Sequence, residues 1–274
     1  MRGIRVPMMT AVAGAAAAAV LAAGCGSPGG SGSATAGGSA SAAGSATARA
    51  GAVTASPAAA GAGDNGVAAL GADEIVQKSV QALKDAKSVR AVGTVTEMGQ
   101  RISLDLRLDT AGNCRGILGL GGDGSFEVVK AGHDLWVKPD RAFWQSHGGS
   151  GLADLVGDRY LKTTADDPDF GDLGGLCDLG ALADQLGAPK GTLAKGDPST
   201  VQGRAAVSVT GSSSSGTGTL YVAASGAPVP LRLEKDNGAV DFSDFGTPVP
   251  SGTPGPDQSV DLNDLLPSDA SSVV

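Results

Sequence analysis

The chain has 274 residues, of which 41% are hydrophobic, 18% are charged and only 3% are aromatic. That length is enough for one large domain or two small ones. The formal net charge of −8 argues against a nucleic-acid binder, because such proteins present basic patches to phosphates. The composition also argues against a coiled coil and a multi-span membrane protein, but it identifies no ligand.

A secretory leader is predicted for residues 1–24. A short cationic start is followed by an apolar run over 6–23, and this order is typical of a signal peptide. The run ends in the letters LAAGC at 21–25, which resemble a bacterial lipobox. The resemblance implies cleavage before Cys25 and attachment of a diacylglyceryl group to it. An uncleaved membrane anchor and a soluble secreted form are the alternatives.

A lipid anchor at Cys25 predicts where the chain acts. Two acyl chains hold a protein stably where one is marginal, since each buried methylene contributes about 0.8 kcal/mol. We therefore expect the protein on the extracytoplasmic face of the cell membrane, attached through this anchor.

The segment 25–71 is predicted to be the lipidated cysteine followed by a flexible tether. Gly, Ala and Ser make up 35 of the 46 residues at 26–71. Such a composition buries too little apolar surface to offset the entropy of ordering. The tether either gives clearance and freedom to meet a partner or is a neutral spacer.

A globular domain is predicted over 72–250. Apolar residues recur at helical spacing over 73–87, which predicts one helix with a buried face. After Ser88 a period of two begins, with Val89, Ala91 and Gly93 in loose alternation, which predicts a first strand. At 102–109 apolar and polar residues alternate clearly, which predicts a strand with one buried and one wet face. Further strands are predicted at 114–120, 124–131, 133–138, 191–197, 203–210, 217–224, 228–235 and 239–245.

Two segments of this domain and its tail depart from the strand pattern. Asp236-Asn237-Gly238 lies between two strands and indicates a tight hairpin turn. Residues 148–187 are predicted to be loop and helix, with Leu176, Leu179, Leu182 and Leu186 on one stripe. The tail at 251–274 is expected to pack loosely. The fold class is therefore α+β, a curved antiparallel sheet with helices over its apolar face.

The order of these elements resembles a known family of lipoproteins. The matching stretches are IVQKSVQAL at 75–83, SVRAVGT at 88–94, LDLRL at 104–108, GSFE at 124–127, LWVK at 135–138, LYV at 220–222 and PLRL at 230–233. Together they resemble the LppX/LprA/LprF/LprG lipoproteins and the wider LolA/LolB-like superfamily, over about 72–250. The resemblance implies a half-barrel with helices over the concave face and a hydrophobic cavity for lipid. It carries no catalytic residues.

Cys114 and Cys177 are the two cysteines other than Cys25. An exported protein meets an oxidising compartment, so we predict a disulfide between them. It would tie the strand at 114–120 to the start of the helical stripe. A metal or catalytic pair is the alternative.

The remaining motifs predict no enzyme, cofactor or metal site. His133 and His147 are the two histidines, and no serine or aspartate is placed to complete a triad. Both matches to GxGxxG, at 61–66 and 119–124, lack the strand-then-helix context of a dinucleotide site. Asp166, Asp167, Asp169 and Asp172 form a dense acidic group, for which a solvated loop is favoured over a calcium site.

Together these patterns predict a monomeric binding module that shelters lipid or another apolar ligand. Lipid pockets are walled mostly by apolar side chains. The predicted wall is Leu104, Leu106, Leu108, Phe126, Val128 and Trp136. The alternative is a protein-interaction or envelope-sensing module with a filled core. No nucleic acid is expected as a partner.

Overall fold

The computed structural model describes residues 63–147, 149–167, 170–189, 191–213 and 216–265. The predictions for the leader, for Cys25, for the tether up to residue 62 and for the tail after residue 265 lie outside the described residues.

Twelve strands and six α-helices are found in the described ranges. The strands are β1 (Ser88–Glu97), β2 (Gln100–Asp109), β3 (Cys114–Gly119), β4 (Ser125–Ala131), β5 (Asp134–Pro139), β6 (Tyr160–Thr164), β7 (Thr192–Val201), β8 (Arg204–Ser213), β9 (Gly216–Ala223), β10 (Pro230–Lys235), β11 (Gly238–Ser243) and β12 (Ser259–Asp261). The helices are α1 (Ala72–Ala86), α2 (Arg141–Ser146), α3 (Ser150–Val156), α4 (Gly171–Leu176), α5 (Leu179–Gly187) and α6 (Leu262–Leu265). Short 3₁₀ turns occur at Val67–Ala69 and Gly121–Asp123.

All twelve strands belong to one open sheet, in the order β12-β6-β5-β4-β3-β2-β1-β11-β10-β9-β8-β7. Each neighbouring pair is antiparallel except β12 and β6, which run parallel. This confirms the predicted α+β class, an antiparallel half-barrel with helices over one face. We call the face that packs against α1 and α5 the inner face, and the opposite one the outer face.

Tight turns explain why the strands form a meander. The β1–β2 loop is Met98-Gly99 and the β7–β8 loop is Gln202-Gly203, and all four residues have positive φ. That is the geometry of two-residue hairpins, whose twist matches that of the strands. The predicted turn at Asp236-Asn237 is also present, between β10 and β11. Gly238 has φ 150°, and a Cβ there would overlap the β1 backbone at Thr94 and Val95.

The core consists of two main apolar clusters between the inner face and the helices. The larger lies over β1–β5 and β11, under α5 and the end of α1. The second lies over β8 and β9, under the start of α1. Val80, Leu186 and Leu233 pack against both clusters and join them.

The ordered domain begins before the predicted boundary at residue 72. Val67 is fully buried, and the Asn65 side-chain amide donates to Ala223 O at 2.8 Å and to Gly226 O at 3.0 Å. Residues 63–71 therefore belong to the domain rather than to the tether. Their small, polar composition concealed this, because many of the contacts are made by backbone groups, such as the Ala68 and Leu70 carbonyls that accept from Lys195.

Two strands were missed by the sequence patterns. β6 lies inside the segment predicted to be loop and helix, and β12 lies inside the tail predicted to pack loosely. β12 has three residues and is held by parallel pairing with β6. No helix in the described part of the chain is long and apolar enough to cross a membrane.

Candidate functional site

The candidate site is the apolar inner face of β2 to β5. Strand register aligns its side chains in rows that cross the sheet, since directly paired residues share a face. One row contains Leu106, Gly116, Val128 and Val137, and the next contains Leu104, Leu118 and Phe126. The predicted wall residues Leu104, Leu106, Leu108, Phe126 and Val128 are therefore brought together on one face.

Trp136 does not belong to this wall. It pairs with Val129 in β4 and with Lys162 in β6, so its ring lies on the outer face. Lys162 Nζ is 5.7 Å from the centre of the ring, and the indole Nε1 has no hydrogen-bond partner among the described residues. The prediction was wrong because Leu135, Trp136 and Val137 are all apolar. A run without alternation does not show which residue points inward.

A disulfide attaches the cover of the inner face, formed by α1 and α5, to the sheet at the start of α5. Cys114 in β3 is bonded to Cys177, which lies between α4 and α5, with their Cα atoms 5.3 Å apart. This confirms the predicted pairing. Directly after it, Leu179 and Ala183 of α5 are fully buried against the inner face. The bond therefore holds α5 over the predicted wall.

The predicted helical stripe is only partly correct. Leu179 is buried and Leu182 and Leu186 pack at the edge of the core, but Leu176 is 51% exposed. Leu176 ends α4, and the chain turns at Cys177 before α5 begins. The break between the helices removes Leu176 from the stripe.

Half-buried apolar side chains pack against the larger cluster, and seven of them are here called the apolar rim. Its members pack against the larger cluster but remain partly accessible: Leu104, Leu120, Phe143, Leu182, Leu186, Leu233 and Val240. Leu104 was the one predicted wall residue among them. Leu233 and Val240 were detectable as the apolar positions of two alternating strands, but their place in the site depends on β11 pairing with β1.

Phe143 is held at the rim by a short capped helix. Its ring contacts Phe126 edge-on, with centroids 5.9 Å apart, and stacks on the ring of His147 at 4.2 Å. Asp140 caps α2 by accepting the Phe143 N–H at 2.7 Å, and it also accepts the Ser125 hydroxyl at 2.8 Å. Although burial acts to raise it, the pKa of Asp140 is held below its usual value by these hydrogen bonds. The cap therefore remains ionised and intact at neutral pH.

A seam separates α1 from α5 on the outside of the cover. It is a depression of about 280 Å³ lined by Val80, Lys84, Asp184 and Gly187. The Lys84 ammonium spans it to Asp184 at 2.8 Å. Val80, at its base, is one of the residues that join the two apolar clusters.

The interior below this seam is closely filled. Leu106, Leu108 and Val128 are at most 2% exposed, and protein side chains alone bury them. Two depressions found among the described residues, the seam and one on the outer face, both lie outside the sheet–helix interior.

Several solved structures resemble this chain in fold, and three of them follow. No family model and no curated protein matches the sequence. A crystal structure of LprF from Mycobacterium bovis is 19% identical, covering 67% of this chain and 96% of that one, with a TM-score of 0.48. An uncharacterized conserved protein from Thermus thermophilus is 12% identical, covering 69% of this chain and 98% of that one, with a TM-score of 0.37. A crystal structure of MucB is 19% identical, covering 68% of this chain and 61% of that one, with a TM-score of 0.35.

The first of these structures bears the name of one of the lipoproteins that the sequence resembles. All three TM-scores are below 0.5 and all three identities are below 25%. Function is therefore argued from the residues and geometry of this chain.

Both histidines and Asp166 occupy ordinary structural positions, whereas Asp169 of the predicted acidic group lies outside the described residues. His133 lies in the β4–β5 turn and its Nε2 is 3.1 Å from Asp166 on the surface. His147 Nδ1 is 2.9 Å from Phe143 O at the end of α2. Among the described residues, no three His, Cys, Asp or Glu side chains converge as metal ligands would.

Proposed function

We propose that this chain is an LppX/LprF-like lipoprotein that binds an acyl chain or another apolar ligand between the sheet and α5. The lipobox at 21–25 supports attachment through Cys25 to the extracytoplasmic face of the cell membrane. The observation that carries the binding proposal is the apolar rim. Its half-buried side chains pack against the buried apolar cluster and add partly accessible apolar surface to it.

The ligand enters by partly displacing the cover. The interior is filled by protein side chains, so an acyl chain replaces contacts that α5 makes through Leu179 and Ala183. Each methylene that leaves water contributes about 0.8 kcal/mol. About ten methylenes therefore contribute about 8 kcal/mol, which is comparable with the stability of a small domain. The disulfide keeps one end of α5 attached while the other end moves.

A filled-core interaction module is the second candidate. It is favoured by the complete burial of Leu106, Leu108 and Val128 against other protein side chains. In that case the sheet and helices form a rigid support, and a partner protein binds at the surface. Both candidates are non-enzymatic, a proposal supported by the structural roles of both histidines.

Native mass spectrometry and lipid extraction distinguish the two candidates. The full chain is purified from its own host without detergent. The binding proposal expects an apolar species that leaves on extraction, and a fluorescent fatty acid that binds to the emptied protein. If neither extraction nor the fluorescent probe shows binding, the filled-core module replaces the proposal.

A matched pair of variants locates the site. Leu104→Glu places a charge at the rim, whereas Met98→Glu places the same charge in the β1–β2 turn at a side chain that is 77% exposed. We expect the first to lower affinity for the fluorescent fatty acid about tenfold, because a buried carboxylate is costly to desolvate. The second should leave affinity unchanged. Equal losses would show that the probe binds elsewhere.

A further inference from the structure

Three arginines stand side by side on the outer face of the sheet. Arg90 in β1 pairs with Arg107 in β2, and Arg107 pairs with Arg115 in β3. Directly paired residues on one face have Cβ atoms about 5 Å apart, and like charges so placed repel each other. Such a row is unexpected in a chain whose net charge is −8.

Two of these three charges are neutralised by carboxylates. The Arg90 guanidinium donates two hydrogen bonds to the Asp105 carboxylate, at 2.8 and 2.6 Å. The Arg107 guanidinium lies 2.7 Å from the Asp244 carboxylate. Arg115 donates to the backbone carbonyl of Gly252 at 2.9 Å and hydrogen-bonds the Tyr160 hydroxyl, and it forms no ion pair within 4.0 Å in the described part of the chain.

Strand β4 carries one carboxylate, Glu127, on the same face. It accepts the Tyr160 hydroxyl at 2.7 Å, and a neutral hydroxyl leaves its negative charge in place; the Lys138 ammonium, which lies over the Tyr160 ring, balances that charge. The four cations, Arg90, Arg107, Arg115 and Lys138, therefore exceed the three carboxylates, Asp105, Asp244 and Glu127, by one positive charge.

The row forms the floor of a depression of about 300 Å³. Residues 244–258 connect β11, in the middle of the sheet, to β12 at its edge, and their Pro250 forms one wall. Ile117, which is 52% exposed, forms part of the floor beside Asp105. The depression therefore combines guanidinium groups with a small apolar surface.

We infer that this depression binds a phosphodiester group. A guanidinium carries five N–H donors, and the contacts above leave most of those on Arg107 and Arg115 available. A phosphodiester carries one negative charge, which matches the single charge left over. Its two non-bridging oxygens accept from two neighbouring arginines at once, and its organic substituents contact Ile117 and Pro250.

This site is independent of the proposed apolar site, which lies on the opposite face of the sheet. The phosphodiester has two sources, a phospholipid headgroup or a water-soluble ester. The chemistry of recognition is the same for both, and the experiment separates them.

Titration calorimetry of the full chain with glycerophosphoglycerol, a soluble phosphodiester, tests the inference. We expect binding that weakens as salt is added, because the contact is electrostatic. Arg115→Gln should lower the affinity about tenfold, since it removes a charge-assisted contact. Arg101→Gln is the matched control, because Arg101 is exposed on the same face of β2 and does not line the depression. It should bind as the unaltered chain does.

A second variant keeps the test valid if Arg115→Gln does not fold. Ile117→Glu introduces a negative charge at an exposed side chain and should abolish binding without unfolding the protein. Absence of binding by the unaltered chain, or equal losses in Arg101→Gln and Arg115→Gln, would overturn the inference.

Vesicles then identify the source. Mixed phosphatidylglycerol and phosphatidylcholine vesicles are compared with phosphatidylcholine alone, using the Arg115→Gln chain as the reference. Arg115-dependent binding to the mixed vesicles, together with binding of the soluble ester, supports a lipid headgroup. Binding of the soluble ester alone supports a water-soluble phosphodiester.

Discussion

Lys84 Nζ lies 2.8 Å from Asp184 Oδ1, and this ion pair joins the two helices that cover the inner face of the sheet. Both side chains are substantially exposed, so the pair adds little to global stability. Its position on the seam beside Val80 gives it a different role. It holds α5 against α1 where the two apolar clusters meet.

Removing this ion pair should ease access to the interior. Asp184→Asn is expected to change the free energy of unfolding by about 0.5 kcal/mol, and to raise the uptake rate of a fluorescent fatty acid about twofold. Stopped-flow fluorescence measures the rate. Asp134→Asn is the control, because its ion pair with Lys162 joins β5 to β6 away from the seam. Equal uptake rates in both variants would contradict this role.

The disulfide should dominate the stability of the cover. Cys114 and Cys177 are separated by 63 positions, and closing a loop of this length stabilises a protein by about 4 kcal/mol in the chain-entropy model. We expect Cys114→Ala/Cys177→Ala to lose about that much in urea unfolding. The unaltered chain under a reducing agent should behave like the double variant. A loss below about 1 kcal/mol would show that α5 is held by packing instead.

Leu106 should be among the most sensitive positions of the inner face. Its side chain is 2% exposed in the row with Gly116 and Val128, and its removal leaves a cavity that the sheet cannot close. Leu106→Ala should destabilise the fold by about 2–5 kcal/mol in chemical denaturation. Met98→Ala, at an exposed turn residue, should change stability by less than about 0.5 kcal/mol. Similar values for both would contradict the assignment of Leu106 to the core.

Acid should weaken two ion pairs on the outer face. Hydrogen bonds from Arg90 to Asp105, and from Arg232 to Asp241, lower the pKa of both carboxyl groups below the ordinary value of 3.8. A lowered folded-state pKa means stabilisation that is complete above the unfolded-state value. It is lost as the pH falls through the folded-state value.

The contribution of these two groups to the free energy of unfolding should therefore be constant near neutral pH. It should decrease when the pH is lowered below about 4. In Asp105→Asn/Asp241→Asn the acid limb of the stability curve should be shallower, as measured by urea midpoints between neutral and acidic pH. Asp158→Asn, in an exposed turn, should keep the original slope. An unchanged slope in the double variant would show that neither pair contributes.

The strands and hairpins were largely predictable because their signals are local. Alternation in β2 and the turn at Asp236-Asn237 depend on residues a few positions apart, and both predictions were confirmed. Trp136 and β12 were not predictable in this way. The inward or outward direction of Trp136 depends on pairing with β4 and β6, and β12 exists only because β6 offers it an edge.

The same division applies to the two candidate sites. Periodicity and turn chemistry are enough to establish an α+β domain, its antiparallel strands and the apolar set that forms the inner face. The cysteine pair follows from the compartment that the leader predicts. Strand register, by contrast, is a long-range property, and it alone places Arg90, Arg107 and Arg115 in one row although they are distant along the chain. Packing of α5 likewise decides that the inner face is filled, because close packing depends on the shapes of side chains that meet only in the folded protein.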